Sequence, residues 1–169
     1  FDKFKTHLTL IYPFEMGDQQ KLKKHIVNSL LKSKIKPFYA DFNKIQKSSK
    51  GYIYLLAPDA EKKFISLHNS LKSGILVHAD NPEMPNYAPH ISLAVVEDEK
   101  EQDNIIAELK NMKLNCQVFI ASISLLTLDK KSAIVKEEPI ELYNPEDAES
   151  NNKIFAIVYS DNGKFLLVL

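Results

Sequence analysis

The sequence predicts an α+β fold made of two similar halves, and three observations carry that expectation. The order strand, helix, strand, strand occurs twice, with a spacer helix between the copies. Each copy opens on the same figure, His-x-Thr/Ser in an alternating apolar run: "HLTL" at 7–10 and "HISL" at 90–93. His7 and His90 stand 83 residues apart, from 7 to 90. That period is too long for a solenoid unit. It suits a duplicated, two-lobed fold in which each lobe supplies one copy of a site.

Residues 5–14 alternate and read as a strand. Asp18 caps a helix over about 19–34, where Leu22, Ile26, Leu30 and Leu31 form a stripe at helical spacing. Pro37 begins the alternating run "PFYADFNKIQ", "KSSKG" turns the chain, and "YIYLLAP" is the next strand, so the two pair antiparallel. Asp59 is placed to cap a second helix. Phe64, Leu67, His68 and Leu71 share one face of it, and Gly74 stands where a C-terminal glycine belongs. Three prolines and two asparagines make 78–89 a loop.

The second copy begins with a strand at 90–96. A helix at 97–112 follows, its acidic first turn favoured by the helix dipole. Strands at 115–128 and about 132–142 are joined at Asp129-Lys130-Lys131. "NPEDAESNN" (144–152) reads as a linker. Residues 153–169 read as a C-terminal β-hairpin around Ser160-Asp161-Asn162-Gly163. The expected organisation is a domain at 1–143, a linker at 144–152 and the hairpin at 153–169. An exposed apolar hairpin needs cover, so it should pack on the parent domain or on a second chain, the latter making a homodimer.

Composition narrows the function classes. The 22 basic and 22 acidic residues cancel, whereas proteins that grip long nucleic acids carry a basic excess. A small phosphate ligand or a nucleic-acid end fits better. Cys116 is the single cysteine, which excludes an internal disulfide and a cysteine-built metal site. No apolar run approaches the ~20 residues of a membrane helix, and no signal segment opens the chain. A cytoplasmic location is expected by default. The chain starts at Phe1 and stops at Leu169 within an apolar run, so a piece of a longer protein is expected.

On a strand, residues i and i+2 face the same way. His7 and Thr9 therefore share a face, as do His90 and Ser92, while Leu8, Leu10, Ile91 and Leu93 point to the opposite side. Two such polar faces opposed across a cleft suit phosphodiester hydrolysis. That reaction needs a base on the attacking oxygen and an acid on the leaving oxygen, and imidazole titrates near neutrality. The two hydroxyls can donate to the non-bridging oxygens. This chemistry requires no metal and no cofactor.

At these residues the sequence resembles the 2H phosphoesterase superfamily, which includes bacterial 2′-5′ RNA ligases and cyclic nucleotide phosphodiesterases and is named for two H-x-T/S-x motifs. "YAPH" resembles the approach to the second motif, and "SISLLTLDKKSAIVKEEPIEL" (122–142) the strand pair that follows it. The resemblance covers roughly 1–143. It implies two β-α-β-β lobes with pseudo-two-fold symmetry around a central cleft. It implies metal-independent opening of 2′,3′-cyclic or related nucleotide phosphates, on a nucleotide cyclic phosphate or an RNA terminus. It further implies His7 and His90 as the acid–base pair and Thr9 and Ser92 as the phosphate-binding hydroxyls, with no assignment of which histidine is the base. Two positions depart from the pattern: Ala94-Val95-Val96 stands where many members carry a basic residue, and Thr6 where some have proline. The tail "KIFAIVYSDNGKFLLVL" resembles the first two strands of a Nudix hydrolase domain, without its acidic metal-binding box. The other reading of the tail is an extra hairpin on a sheet edge. The competing class for the whole chain is a non-catalytic nucleotide or RNA-end binding module that regulates an appended domain.

Tyr12 and Tyr87 lie near the motifs, where a substrate base or ribose could stack on them. His25 is expected in solvent, His68 packed and hydrogen-bonded, and His78 on the surface. No His-x-x-x-His helix supports zinc.

Overall fold

The computed structural model describes residues 6–79, 81, 85–112 and 114–142, and the backbone of 164–168. The first half holds β1 (Thr9–Glu15), α1 (Gln19–Ser33), β2 (Phe38–Phe42), β3 (Lys44–Lys47) and β4 (Tyr52–Leu56). Helix α2 (Glu61–Leu71) and a 3₁₀ turn (Gly74–Leu76) lead to the second half. There follow β5 (Ile91–Val95), α3 (Glu99–Asn111), β6 (Cys116–Ile120), β7 (Ser122–Leu128), β8 (Ile134–Glu141) and β9 (Lys164–Val168). The architecture is α+β with antiparallel sheets, as the sequence predicts.

Two helices start as their sequences dictate. The Asp18 carboxylate accepts from the Lys21 amide at 2.9 Å, and Asp98 accepts from the Glu101 amide at 2.7 Å. Helix α2 differs. Its cap position is Ala60, and Asp59 instead accepts from the Asp41 amide of β2 at 3.1 Å. That amide lies on a strand with a single sheet partner, and the carboxylate satisfies it. Helix α2 ends at Leu71 rather than at Gly74. Gly74 opens the 3₁₀ turn with φ +53°, and a Cβ there would sit 3.3 Å from the His25 ring.

Both long alternating runs divide. The first breaks at Asn43, where β2 leaves to pair with β6 while β3 pairs with β4; the second breaks at Ala121, between β6 and β7. The cause is a slip of one residue in the apolar alternation. Phe38, Ala40 and Phe42 face the core on even positions, but Ile45 does so on an odd one. Ile120 is even, whereas Ile123 and Leu125 are odd. A one-residue slip turns a strand over, so each segment serves a different sheet.

The halves are interleaved. One sheet has the order β3-β4-β5, the other β1-β9-β7-β8, and the β2·β6 ribbon joins first half to second. Each motif strand thus lies with the hairpin of the other half, rather than within a contiguous β-α-β-β lobe. Helix α1 packs across the same division: Glu138 of β8 takes Lys23 of α1, together with Lys136. Burial works against that carboxylate, but the two ammonium groups outweigh it and hold its pKa low.

The linker at 144–152 and the first strand of the expected hairpin lie outside the described residues. The second strand, β9, is not on an edge: it pairs antiparallel with β1 on one side and β7 on the other. The outer strands of that sheet, β1 and β8, carry Pro13 and Pro139, as edge positions permit. The main core encloses Leu10, Ile11, Leu22, Ile26, Phe64 and Ile123 fully, and a smaller cluster forms around Leu126 and Leu128. Among the described residues, no helix is long and apolar enough to cross a membrane.

Candidate active site

The two motifs meet through their backbones. Leu8 and Ile91, the middle residue of each His-x-Thr/Ser triplet, form an isolated antiparallel bridge. Residues directly opposite in such a pair point to the same side. Leu8 is 2% exposed and Ile91 packs against the core, so their flanking residues turn to the other face. The antiparallel register of that bridge aligns His7 with Ser92 and Thr9 with His90. The two histidines are close enough to interact electrostatically, His7 acting on the ionisation of His90. The bridge thus brings the two sequence motifs together at their middle residues.

Both motif strands then bulge at the same place. Thr9 and Ile11 oppose the consecutive residues Val168 and Leu167, while Ser92 and Ala94 oppose Tyr54 and Ile53. The extra residue follows the hydroxyl in each copy, 83 positions apart, and re-aims what comes next. In β1 it buries Leu10 and Ile11 side by side and returns half-buried Tyr12 to the Thr9 face. Burial and the nearby Tyr54 raise the pKa of the Tyr12 hydroxyl.

His90 is held in one tautomer. Its Nδ1–H donates to the Ala88 carbonyl at 2.7 Å, and a carbonyl can only accept, so in the neutral ring the lone pair belongs to Nε2. The ring packs against Tyr54, with centroids 4.1 Å apart and planes at 44°. Burial lowers the His90 pKa; the Ala88 hydrogen bond opposes this, and the charge of His7 adds to it. The influence of His7 is the electrostatic counterpart of the backbone bridge.

The first motif is braced from behind. The Tyr87 hydroxyl donates to the Thr9 carbonyl at 3.0 Å, and His68 Nδ1–H donates to the Leu10 carbonyl at 2.6 Å. The two rings stack, 3.9 Å apart and 2° from parallel. Burial, and Tyr12 nearby, push the Tyr87 pKa far up. His68 is packed and hydrogen-bonded, as its place on the apolar face predicts. One face of the Tyr87 ring is covered by His68 and its hydroxyl is engaged, so Tyr87 supports the strand.

His25 is corrected. It is half-buried, and its Nε2 donates to the Leu71 carbonyl at 3.0 Å, because the end of α2 packs on α1 and leaves that carbonyl without a helical partner. His78 is exposed. Among the described residues, no group of three His, Cys, Asp or Glu is arranged to hold a metal ion. Tyr54 is the site neighbour that sequence reasoning missed. Its signal is the alternation in "YIYLL", which puts Tyr52 and Tyr54 on one face. What the sequence lacks is the knowledge that β4 pairs with the second motif strand.

Two His-x-Thr/Ser motifs joined by a backbone bridge, at the junction of two interleaved halves, are the features expected of a two-histidine phosphoesterase. The 2′-5′ RNA ligase superfamily model matches residues 1–132, and the chain belongs to that family of 2H phosphoesterases. Membership implies phosphoesterase or ligase chemistry on RNA or nucleotides. No curated protein matches the chain.

Proposed function

We propose that this protein opens 2′,3′-cyclic or related nucleotide cyclic phosphodiesters by general acid–base catalysis between His7 and His90, without a metal. The observation that supports the reading is the Leu8–Ile91 bridge, which pairs the middle residues of the two motifs. His90, with Nε2 unprotonated, is the base. It takes a proton from water as the water oxygen bonds to phosphorus. His7, protonated, gives its proton to the ribose oxygen as the P–O bond breaks. Thr9 and Ser92 donate to the non-bridging oxygens, where negative charge grows. One proton is taken and one given, so the pair ends with its protonation reversed and resets through solvent.

The test is turnover of a 2′,3′-cyclic nucleotide panel in EDTA, across pH 5–9, by the parent, His7→Ala and His90→Ala. The expected result is turnover that persists in chelator and falls about 10²–10⁴-fold in each variant. Binding of the panel without turnover by the parent would replace the enzyme with a nucleotide or RNA-end binding module. Activity that survives both substitutions would remove the histidine pair from the mechanism.

A further inference from the structure

One row of side chains runs across sheet β3-β4-β5 from the site to its far edge. Ser92 on β5 is opposite Tyr54 on β4, and Tyr54 is opposite Gln46 on β3. Residues opposed in this way share a face. The same face carries Tyr52, whose ring stacks on Tyr54 at 5.8 Å and 15°. The other face of β4 is core: Ile53 and Leu55 are 0% and 6% exposed. Gln46 and Tyr52 are exposed and Tyr54 is half-buried.

We propose that this row is the nucleobase half of the site and that Gln46 determines base specificity. The inference rests on the phosphoesterase reading for what occupies Ser92. Strands lie about 4.8 Å apart, so Ser92 and Gln46 are separated by about 10 Å across the sheet, comparable to one nucleotide from phosphate to base edge. With the phosphate at Ser92 and His90, the ribose and base extend over the Tyr52–Tyr54 pair. Aromatic rings accept any base on its π-face and so give affinity without sequence preference. The Gln46 amide offers both a donor and an acceptor to the base edge, and that pattern can match some bases and not others. The occupant is a nucleobase rather than a peptide because the row continues directly from the cluster of two histidines and two hydroxyls.

The test compares the four 2′,3′-cyclic nucleotides (A, G, C and U) as substrates of the parent and of Gln46→Leu. It also titrates them into His7→Ala and into His7→Ala/Gln46→Leu. The parent is expected to discriminate among bases by roughly 5- to 100-fold, and Gln46→Leu to flatten that preference through KM rather than kcat. In the titrations the spread of Kd among bases should collapse in the same way. Equal treatment of the four bases by the parent, or a preference that Gln46→Leu leaves intact, would overturn the proposal. If the parent turns over none of the four, the titrations decide alone. Base-selective binding lost with Gln46 would uphold the base platform while refuting the phosphoesterase reading. Binding that is absent or blind to the base would overturn the platform.

Discussion

The two motif strands share a sequence figure, a bulge and a face, yet they are supported in different ways. Strand β1 is held from the inside: His68 of α2 and Tyr87 of the loop each donate to one of its carbonyls, at Leu10 and Thr9. Strand β5 is held from the side. It pairs directly with β4, and its histidine is set by its own Ala88 carbonyl and by the Tyr54 ring. The first arrangement couples the site to folding, because buried carbonyls lose their donors if it fails. The second couples the site to the ionisation of His90, because Tyr54 shields that ring from water.

The largest effects should ignore this difference. His7→Ala and His90→Ala should each cost about 10²–10⁴-fold in kcat/KM. Comparable losses from both sites would sharpen the picture of one shared reaction centre, and a marked imbalance would break it.

Substitutions one layer out should separate the halves. His68→Leu should destabilise the protein by about 1–3 kcal/mol in urea unfolding, since the buried Leu10 carbonyl loses its partner. Tyr87→Phe should cost less, about 0.5–1.5 kcal/mol, for one hydrogen bond. Tyr54→Leu should act on titration instead. Re-solvating His90 raises its pKa toward the ordinary imidazole value, and the base must be unprotonated. The acidic limb of the kcat/KM profile should therefore move to higher pH. If Tyr54→Leu lowers stability as much as His68→Leu and leaves the pH profile in place, the contrast is wrong.

The smallest effect is on stability against pH. The His90 pKa is lowered by folding, so the unfolded chain takes up its proton first. Stability from this group is complete above about pH 6.5. It should decline as pH falls through the folded value, and His90→Gln should weaken that dependence in unfolding curves.

Much of this was legible because it is local. The two-residue period of a strand is the basis for expecting His7 with Thr9 and His90 with Ser92, and the Asp18 cap follows from residue type and position. What escaped depends on pairing between distant segments. Tyr54 becomes a site neighbour only because β4 aligns with β5. Asp59 serves Asp41 rather than its own helix because β2 lies beside it, and His25 faces Leu71 because α2 packs on α1. β9 lies inside a sheet because β1 and β7 leave a place between them, which the Asn-Gly turn signal at 162–163 does not reveal. The breaks at Asn43 and Ala121 were written in the sequence as a slip in apolar alternation, a signal that needs position parity rather than composition.

The central claim is that two motifs 83 residues apart form one electrostatic unit. Histidine titration by heteronuclear NMR tests it most directly, in the parent and in His7→Ala. The account predicts that His90 titrates below the ordinary value of about 6.5 with Nδ1 as the protonated nitrogen of its neutral form, and that its pKa rises when His7 is removed. A His90 pKa at the ordinary value and unchanged in His7→Ala would contradict it.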